Sequence, residues 1–203
     1  MQIITREIHE IEKAIGEKIA DLEKQGIIVS IDGKNGSGKS RLALNLCCRN
    51  ENFIYFDLDT HYWSSNKLPY VENIDFDILK KNILNTLKSN EVVVIDGVCL
   101  LSIFRKLSLQ PNITIYIKKL DDSGYWIDGK DFNYNLNLKE LLREKREISR
   151  KFLELEQYNQ TGKEKTISYV YEDISYEIIG YQFHYEPDKK ADIIYEHICK
   201  PNS

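Results

Sequence analysis

Eight consecutive residues, Gly33-Lys-Asn-Gly-Ser-Gly-Lys-Ser40, narrow the fold of this chain more than any other segment. They fit the pattern G-x-x-x-x-G-K-[ST], in which glycines permit a tight turn that aims backbone N–H groups at phosphate oxygens. A β-branched apolar run at residues 26–32 precedes them, and a helical pattern of Leu42, Ala43, Leu46 and Cys47 follows. Because the motif requires this context of strand, loop and helix, residues 33–40, here called the P-loop, predict a nucleoside triphosphate site.

The polar groups of the P-loop have expected roles in such a site. Lys39 would place its charge on the β and γ phosphates, and the Ser40 hydroxyl would bind Mg²⁺. The helix that follows adds its N-terminal dipole. We therefore expect ATP to contact Gly33, Asn35, Gly36, Ser37, Gly38, Lys39, Ser40 and Arg41.

The composition is that of a globular protein without strong bias. Of 203 residues, 42% are hydrophobic, which is enough for a sizeable core and excludes a disordered chain. The formal net charge of -4 argues against nucleic acid as a partner. No apolar run approaches the about 20 residues that span a bilayer, the N-terminus lacks a signal-peptide pattern, and the four cysteines form no C-x-x-C pair. We therefore expect a cytoplasmic protein that binds neither membrane nor nucleic acid.

Strand-like and helix-like segments alternate along the chain. Short β-branched runs predict strands at residues 26–32, 53–58, 91–96, 112–117 and 191–195, and apolar residues at helical spacing predict helices between them. This alternation predicts an α/β fold with three layers, α/β/α, around a parallel sheet of the P-loop NTPase type. No shift in composition marks a boundary, so we expect a single domain over residues 1–203 with a helical lid near residues 138–160.

Residues 1–25 predict an amphipathic N-terminal helix, with isoleucines at positions 8, 11, 15 and 19 on one face. Such a face can pair with a second copy of the chain or dock on its own domain. Its length of about two heptads favours docking on its own domain. The sequence is compatible with both a monomer and a homo-oligomer.

Aspartates end two of the predicted strands. Asp96 ends a strand where P-loop proteins place a carboxylate near Mg²⁺, although strand ends also carry aspartates merely as caps. Asp57 and Asp59 end the second strand, at the carboxyl edge where open α/β sheets bind ligands. Alternation along a strand places these two on one face, and either carboxylate could accept a proton from an acceptor hydroxyl.

The predicted lid is rich in basic residues. Arg146 and Arg150 are four positions apart and so share a helix face, as residues that clamp a transferred phosphate would. A solvated helix stabilised by pairs such as Glu147 with Lys151 explains the same pattern equally well.

Several stretches resemble the uridine kinase/phosphoribulokinase-like group of P-loop kinases. They are Ile31-Asp-Gly-x-x-Gly-Ser-Gly-Lys-Ser40, Leu58-Asp-Thr-His-Tyr62, Phe76-Asp-x-Leu79, Val94-Ile-Asp-Gly97 and Glu186-Pro-x-x-Lys-Ala-Asp192. The resemblance covers about residues 26–196 in order and implies phosphorylation of a small-molecule hydroxyl by Mg-ATP. It implies that Asp59 is the catalytic base and that Tyr62 contacts the substrate. His61 stands where the family has a pocket Phe, and Asp96 stands where it usually has Glu.

We expect an ATP-dependent kinase that moves the γ-phosphate of Mg-ATP to a hydroxyl of a small metabolite such as a nucleoside. In this expectation Asp59, Lys39, Arg146 and Arg150 are catalytic, Tyr62 and His61 bind the acceptor, and Ser40 and Asp96 bind Mg²⁺. One alternative is a non-catalytic nucleotide-binding switch. Another is a nucleoside monophosphate kinase with the same core and an anionic acceptor pocket.

Overall fold

A computed structural model describes residues 2–21, 26–63, 69–89, 91–127, 129, 137–147 and 165–198, with residues 165–173 described as backbone only. This part of the chain contains a six-stranded sheet in which every pairing is parallel. The strands are β1 (Ile3–Thr5), β2 (Ile27–Gly33), β3 (Phe53–Asp57), β4 (Val92–Asp96), β5 (Ile113–Leu120) and β6 (Ile193–Ile198). Their order across the sheet is β1-β6-β5-β2-β4-β3.

Helices connect these strands. They are α1 (Ile8–Asp21), α2 (Lys39–Arg49), α3 (Leu58–His61), α4 (Phe76–Lys88), α5 (Leu100–Leu107), α6 (residues 138–147), α7 (Lys165–Tyr185) and α8 (Pro187–Lys190). A turn of 3₁₀ helix at Val71–Asn73 precedes α4. Among the described residues, no helix is long and apolar enough to cross a membrane.

The sheet has a hydrophobic core on each face, which confirms the predicted three layers. Successive residues of β2 alternate between the two cores because strand side chains alternate between faces. Ile28 packs in the core that includes residues of α4, α5 and α7, whereas Val29 packs in the core that includes residues of α1 and α2. Strands covered on both faces read as continuous apolar runs, as β2 and β4 do.

The start of the chain differs from the predicted helix. Residues Ile3–Thr5 form a strand that pairs with β6, with Ile3 opposite Ile193. Three residues form a strand only with a partner, and the partner lies at the other end of the chain, so local periodicity could not reveal it. The helix itself runs from Ile8 to Asp21 and buries Ile11 and Ile15 against the sheet. The interpretation that it docks on its own chain is thus correct.

The register of the strands places the ends of β2, β3 and β4 together. Asp96 at the end of β4 is paired with Asp57 on one side and with Ile31 on the other. The P-loop follows β2 directly, so it lies at the same edge as these aspartates. The carboxyl edge of the central strands is therefore where the candidate site is built.

Candidate active site

All three glycines of the P-loop, which joins β2 to α2, have positive φ, and two of them lie between these elements. Gly36 has a φ of 71° and Gly38 a φ of 98°, a left-handed backbone that favours glycine. A Cβ at Gly38 would also lie 3.3 Å from Nδ1 of His197 on β6. Lys39 begins α2, and its ammonium donates a hydrogen bond to the carbonyl oxygen of Lys34 at 2.9 Å. The lysine and the loop are therefore held together as one unit.

The P-loop offers polar groups that fit a phosphate. The side-chain hydroxyl of Ser37 is fully buried and has no hydrogen-bond partner among the described residues. A Cβ at Gly33 would lie only 2.8 Å from that oxygen, so glycine keeps the space beside it open. The first-turn N–H groups of α2 and the dipole of this 11-residue helix favour an anion at the same place. The donor set therefore fits the phosphates that the motif predicts.

Ser40 and Asp96, the two predicted Mg²⁺ ligands, lie in contact. The Ser40 hydroxyl donates to Oδ2 of Asp96 at 2.8 Å, and the hydroxyl of Tyr55 on β3 donates to Oδ1 at 2.7 Å. Burial raises the pKa of the Asp96 carboxyl, and these two hydrogen bonds act in the opposite direction. A hydroxyl and a carboxylate side by side supply the hard oxygen ligands that Mg²⁺ takes in proteins. The two residues therefore fit this metal.

Three carboxylates act electrostatically on Lys39. Burial lowers the pKa of its ammonium, whereas the negative charges of Asp32, Asp59 and Asp96 act to raise it. The side chain on which these three charges act is only 6% exposed. Two of the three, Asp59 and Asp96, are residues that the sequence predicts for the site.

Asp32 is the carboxylate that sequence reasoning missed. It is only 6% exposed, and it accepts hydrogen bonds from the N–H groups of Gly33 at 2.7 Å and Leu100 at 3.3 Å and from the hydroxyl of Tyr181 on α7. Burial raises its pKa from 3.8 to about 6 despite these bonds and the charge of Lys39. An acidic residue within a largely apolar, fully buried strand is a signal that could have identified it.

Asp57 and Asp59 have different roles in the structure. Asp57 ends β3 and caps α3, because its carboxylate accepts hydrogen bonds from the backbone N–H and the hydroxyl of Thr60. Asp59 is an exposed residue in the first turn of α3, so the expectation that both share one strand face is wrong. Oδ1 of Asp59 accepts a hydrogen bond from the hydroxyl of Tyr70 at 2.8 Å. Asp59 is therefore not committed to a helix cap, and its role as the base stays a prediction.

The residues predicted to bind the acceptor lie at the end of α3. His61 is exposed, and its ring meets the ring of Tyr62 edge to face at 6.4 Å between centroids. Tyr62 is 6% exposed and packs in the core that includes residues of α4, α5 and α7. Its hydroxyl accepts a hydrogen bond from Nδ2 of Asn82 at 3.1 Å. The structure thus accounts for Tyr62 by packing, and contact with an acceptor stays a prediction for both residues.

The remaining predicted residues lie around the P-loop and on α6. Asn35 is exposed on the loop, and Arg41 lines a cavity of about 130 Å³ together with Gly38 and His197. The guanidinium of Arg146 lies over the ring of Tyr176 on α7, 5.3 Å from its centroid. Arg150 and residues 148–160 of the predicted lid lie outside the described residues.

Comparisons with known proteins concern the fold. No protein-family model matches the chain, and no curated protein matches it either. A solved structure of a candidate fructose transport system kinase from Silicibacter sp. TM1040 matches with a TM-score of 0.51 and 12% identity over 94% of this chain and 100% of that chain.

Two further solved structures have a TM-score of 0.44 and 14% identity. One is a candidate uridine kinase from Bacillus stearothermophilus, with 90% of this chain and 99% of that chain covered. The other is the YGR205w protein, with 86% and 84% covered. The likeness to the Silicibacter structure, at a TM-score of 0.51, together with the all-parallel sheet, shows that this chain has the predicted α/β fold.

Proposed function

We propose that this protein is a kinase that transfers the γ-phosphate of Mg-ATP to a hydroxyl group of a small metabolite, such as a nucleoside. The observation that carries the proposal is that the charge of Asp59 acts on Lys39, at the edge of the sheet where Ser40 and Asp96 are in contact. A P-loop alone supports nucleotide binding. A second carboxylate near the phosphate-binding lysine, and separate from the proposed metal ligands, supports proton abstraction from an acceptor.

The P-loop residues bind and orient the nucleotide in this proposal. Lys39 and the N–H groups at the start of α2 hold the β and γ phosphates, and the buried Ser37 hydroxyl donates a further hydrogen bond. Ser40 and Asp96 are the residues that would hold Mg²⁺, which when bound neutralises charge on those phosphates. The cavity beside Arg41 provides room next to the loop for another part of the nucleotide.

Asp59 orients and deprotonates the acceptor. The acceptor oxygen forms a bond to the γ-phosphorus while its proton passes to the Asp59 carboxylate. The bond between the γ-phosphorus and the bridging oxygen breaks, and ADP leaves with that electron pair. Arg146, together with Arg150 outside the described residues, would cover the phosphoryl group and exclude water.

An ATP-consumption screen against nucleosides, sugars, vitamins and nucleoside monophosphates tests this proposal. The wild-type protein should form ADP only when one class of hydroxyl acceptor is present. Asp59→Asn should bind Mg-ATP with unchanged affinity by calorimetry and lose transfer by about 10²- to 10⁴-fold, the usual contribution of a general base. Asp77→Asn, at an exposed position in the first turn of α4, is the matched control and should keep its activity.

Three results would contradict the proposal. Slow ATP turnover that no acceptor changes would indicate a nucleotide-dependent switch instead of a kinase. Transfer at the normal rate by Asp59→Asn would show that another group is the base. A response to nucleoside monophosphates alone would identify the protein as a nucleoside monophosphate kinase.

A further inference from the structure

Tyr70 is a fully buried residue whose hydroxyl lies against the proposed catalytic base. It is 0% exposed, and its ring meets that of Trp63 edge to face at 5.2 Å between centroids. Its hydroxyl donates to Oδ1 of Asp59 at 2.8 Å. Burial and the charge of Asp59 raise the pKa of Tyr70, so the hydroxyl keeps its proton and remains a donor near neutral pH.

The backbone at Tyr70 is fixed by a carboxylate from a distant helix. Glu177 on α7 accepts hydrogen bonds from two successive N–H groups, that of Tyr70 at 2.6 Å and that of Val71 at 3.0 Å. Both oxygens of the carboxylate are used, one for each donor. A carboxylate that accepts two backbone hydrogen bonds fixes both the position and the direction of the turn that it holds. The start of the 3₁₀ turn is thereby tied to α7.

Gly97 leaves space for the Tyr70 hydroxyl at the end of β4. A Cβ at position 97 would lie 3.3 Å from that hydroxyl and 2.9 Å from Cδ1 of Leu58. Gly97 follows Asp96 directly, so the tyrosine hydroxyl reaches Asp59 close to the proposed metal ligand. The same helix α7 contacts the P-loop side of the site, since Tyr181 donates to Asp32.

We propose that Tyr70 is a positioning residue for Asp59, and that Glu177 acts through Tyr70. The inference rests on the proposed function, in which Asp59 is the base. Tyr70 holds one carboxylate oxygen, and Oδ2 has no hydrogen-bond partner among the described residues and so is left for the acceptor hydroxyl. A base held by one oxygen keeps the orientation that proton transfer requires, and small displacements of such groups lower rates strongly.

Tyr70→Phe tests the inference because it removes the hydroxyl and keeps the ring. We expect kcat to fall about 10- to 100-fold while KM for ATP stays unchanged, the effect typical of losing a supporting hydrogen bond. A merely structural defect would change the unfolding midpoint and both constants together. Tyr125→Phe removes a hydroxyl at a side chain that is 71% exposed and is the matched control.

A double-mutant cycle tests the part assigned to Glu177. In Glu177→Gln the amide NH₂ faces a backbone donor, so one of the two bonds is lost and kcat should fall. If Glu177 acts through the Tyr70 hydroxyl, the double variant should be no slower than Tyr70→Phe alone. Effects that multiply would show that Glu177 acts by another route and would overturn that part. Glu177→Gln also provides a test should Tyr70→Phe fail to fold.

The failures of the two proposals can be told apart. The proposed function, and this inference with it, is overturned if the wild-type protein transfers phosphate to no acceptor. It is also overturned if Asp59→Asn transfers phosphate at the full rate. If Asp59→Asn is inactive and Tyr70→Phe has the same kcat as Tyr125→Phe, only the positioning role is overturned. If Asp59→Asn is inactive, and Tyr70→Phe has a lower kcat with a normal KM for ATP, both the proposed function and the positioning role are supported.

Discussion

Replacing Asp32 by asparagine should change how stability depends on pH. The carboxylate is buried at the end of β2 and accepts hydrogen bonds from two backbone N–H groups and from Tyr181. Burial nevertheless raises its pKa from 3.8 to about 6. The folded protein therefore binds this proton more tightly than the unfolded chain does. The proton stabilises the fold below about pH 4, and this stabilisation is lost as the pH rises through about 6.

The size of the effect follows from the difference between the two pKa values. A difference of about 2 corresponds to about 3 kcal/mol in the free energy of unfolding over the whole titration. Between about pH 4.5 and about pH 7.5, the range in which most proteins stay folded, the same relation gives about 2 kcal/mol. Asparagine cannot titrate. It also turns an NH₂ group toward a backbone donor, which lowers stability by a constant of about 1 to 3 kcal/mol at every pH.

Urea unfolding followed by circular dichroism at several pH values measures the effect. The difference in the free energy of unfolding, wild type minus Asp32→Asn, should fall by about 2 kcal/mol as the pH rises across that range. A difference that does not vary with pH would show that burial does not perturb Asp32. A difference that grows with pH would show that the hydrogen bonds and Lys39 outweigh burial, and the reasoning would be refuted.

The other predictions concern the P-loop and helix α1. In the proposed function Lys39 contacts the phosphates, so Lys39→Ala should weaken ATP binding by about 10- to 100-fold, as calorimetry would show, because a buried positive charge is lost. Ile15→Ala should lower the free energy of unfolding by about 2 to 5 kcal/mol, since the side chain is 0% exposed in the core. Gly38→Ala should destabilise the protein by about 1 to 2 kcal/mol, because the φ of Gly38 is 98°. Gly16→Ala should stabilise the protein by about 0.5 to 1 kcal/mol, because a Cβ at this helical position meets nothing within 4 Å. Thermal unfolding compares the two variants. Unchanged stability in Ile15→Ala, or the opposite order for the two glycines, would contradict the described packing.

The elements that could be predicted from the sequence are those with a local signal. The run at residues 91–96 predicts a strand, and β4 covers Val92–Asp96. The spacing of apolar residues likewise predicts α4 and α5. Strand β1 could not be predicted, because its three residues form a strand only through pairing with β6. The start of α3 at Leu58 was also missed, since the apolar run gives no sign that Asp57 turns the chain by capping a helix.

In the candidate site, too, features with a local sequence signal could be predicted and contacts between distant segments could not. Ser40 and Asp96 could be placed together because the P-loop and a strand-ending aspartate have fixed positions in this type of sheet. The contact of Tyr181 with Asp32 could not be predicted, since the two residues lie 149 positions apart in the sequence. The contact of Glu177 with Tyr70, 107 positions apart, could not be predicted for the same reason. Contacts between such distant segments depend on how helix α7 packs, which no local pattern in the sequence encodes.

In the proposed function, the γ-phosphate of ATP passes to an acceptor hydroxyl at the site that contains Lys39 and Asp59. Phosphorus NMR of the wild-type protein with Mg-ATP and a mixture of acceptor compounds tests it most directly, because the signal reports where the phosphate goes. A kinase of this kind should give a phosphomonoester signal that grows in step with ADP and is absent with Asp59→Asn. Inorganic phosphate as the only product, formed at the same rate with and without acceptors, would contradict it.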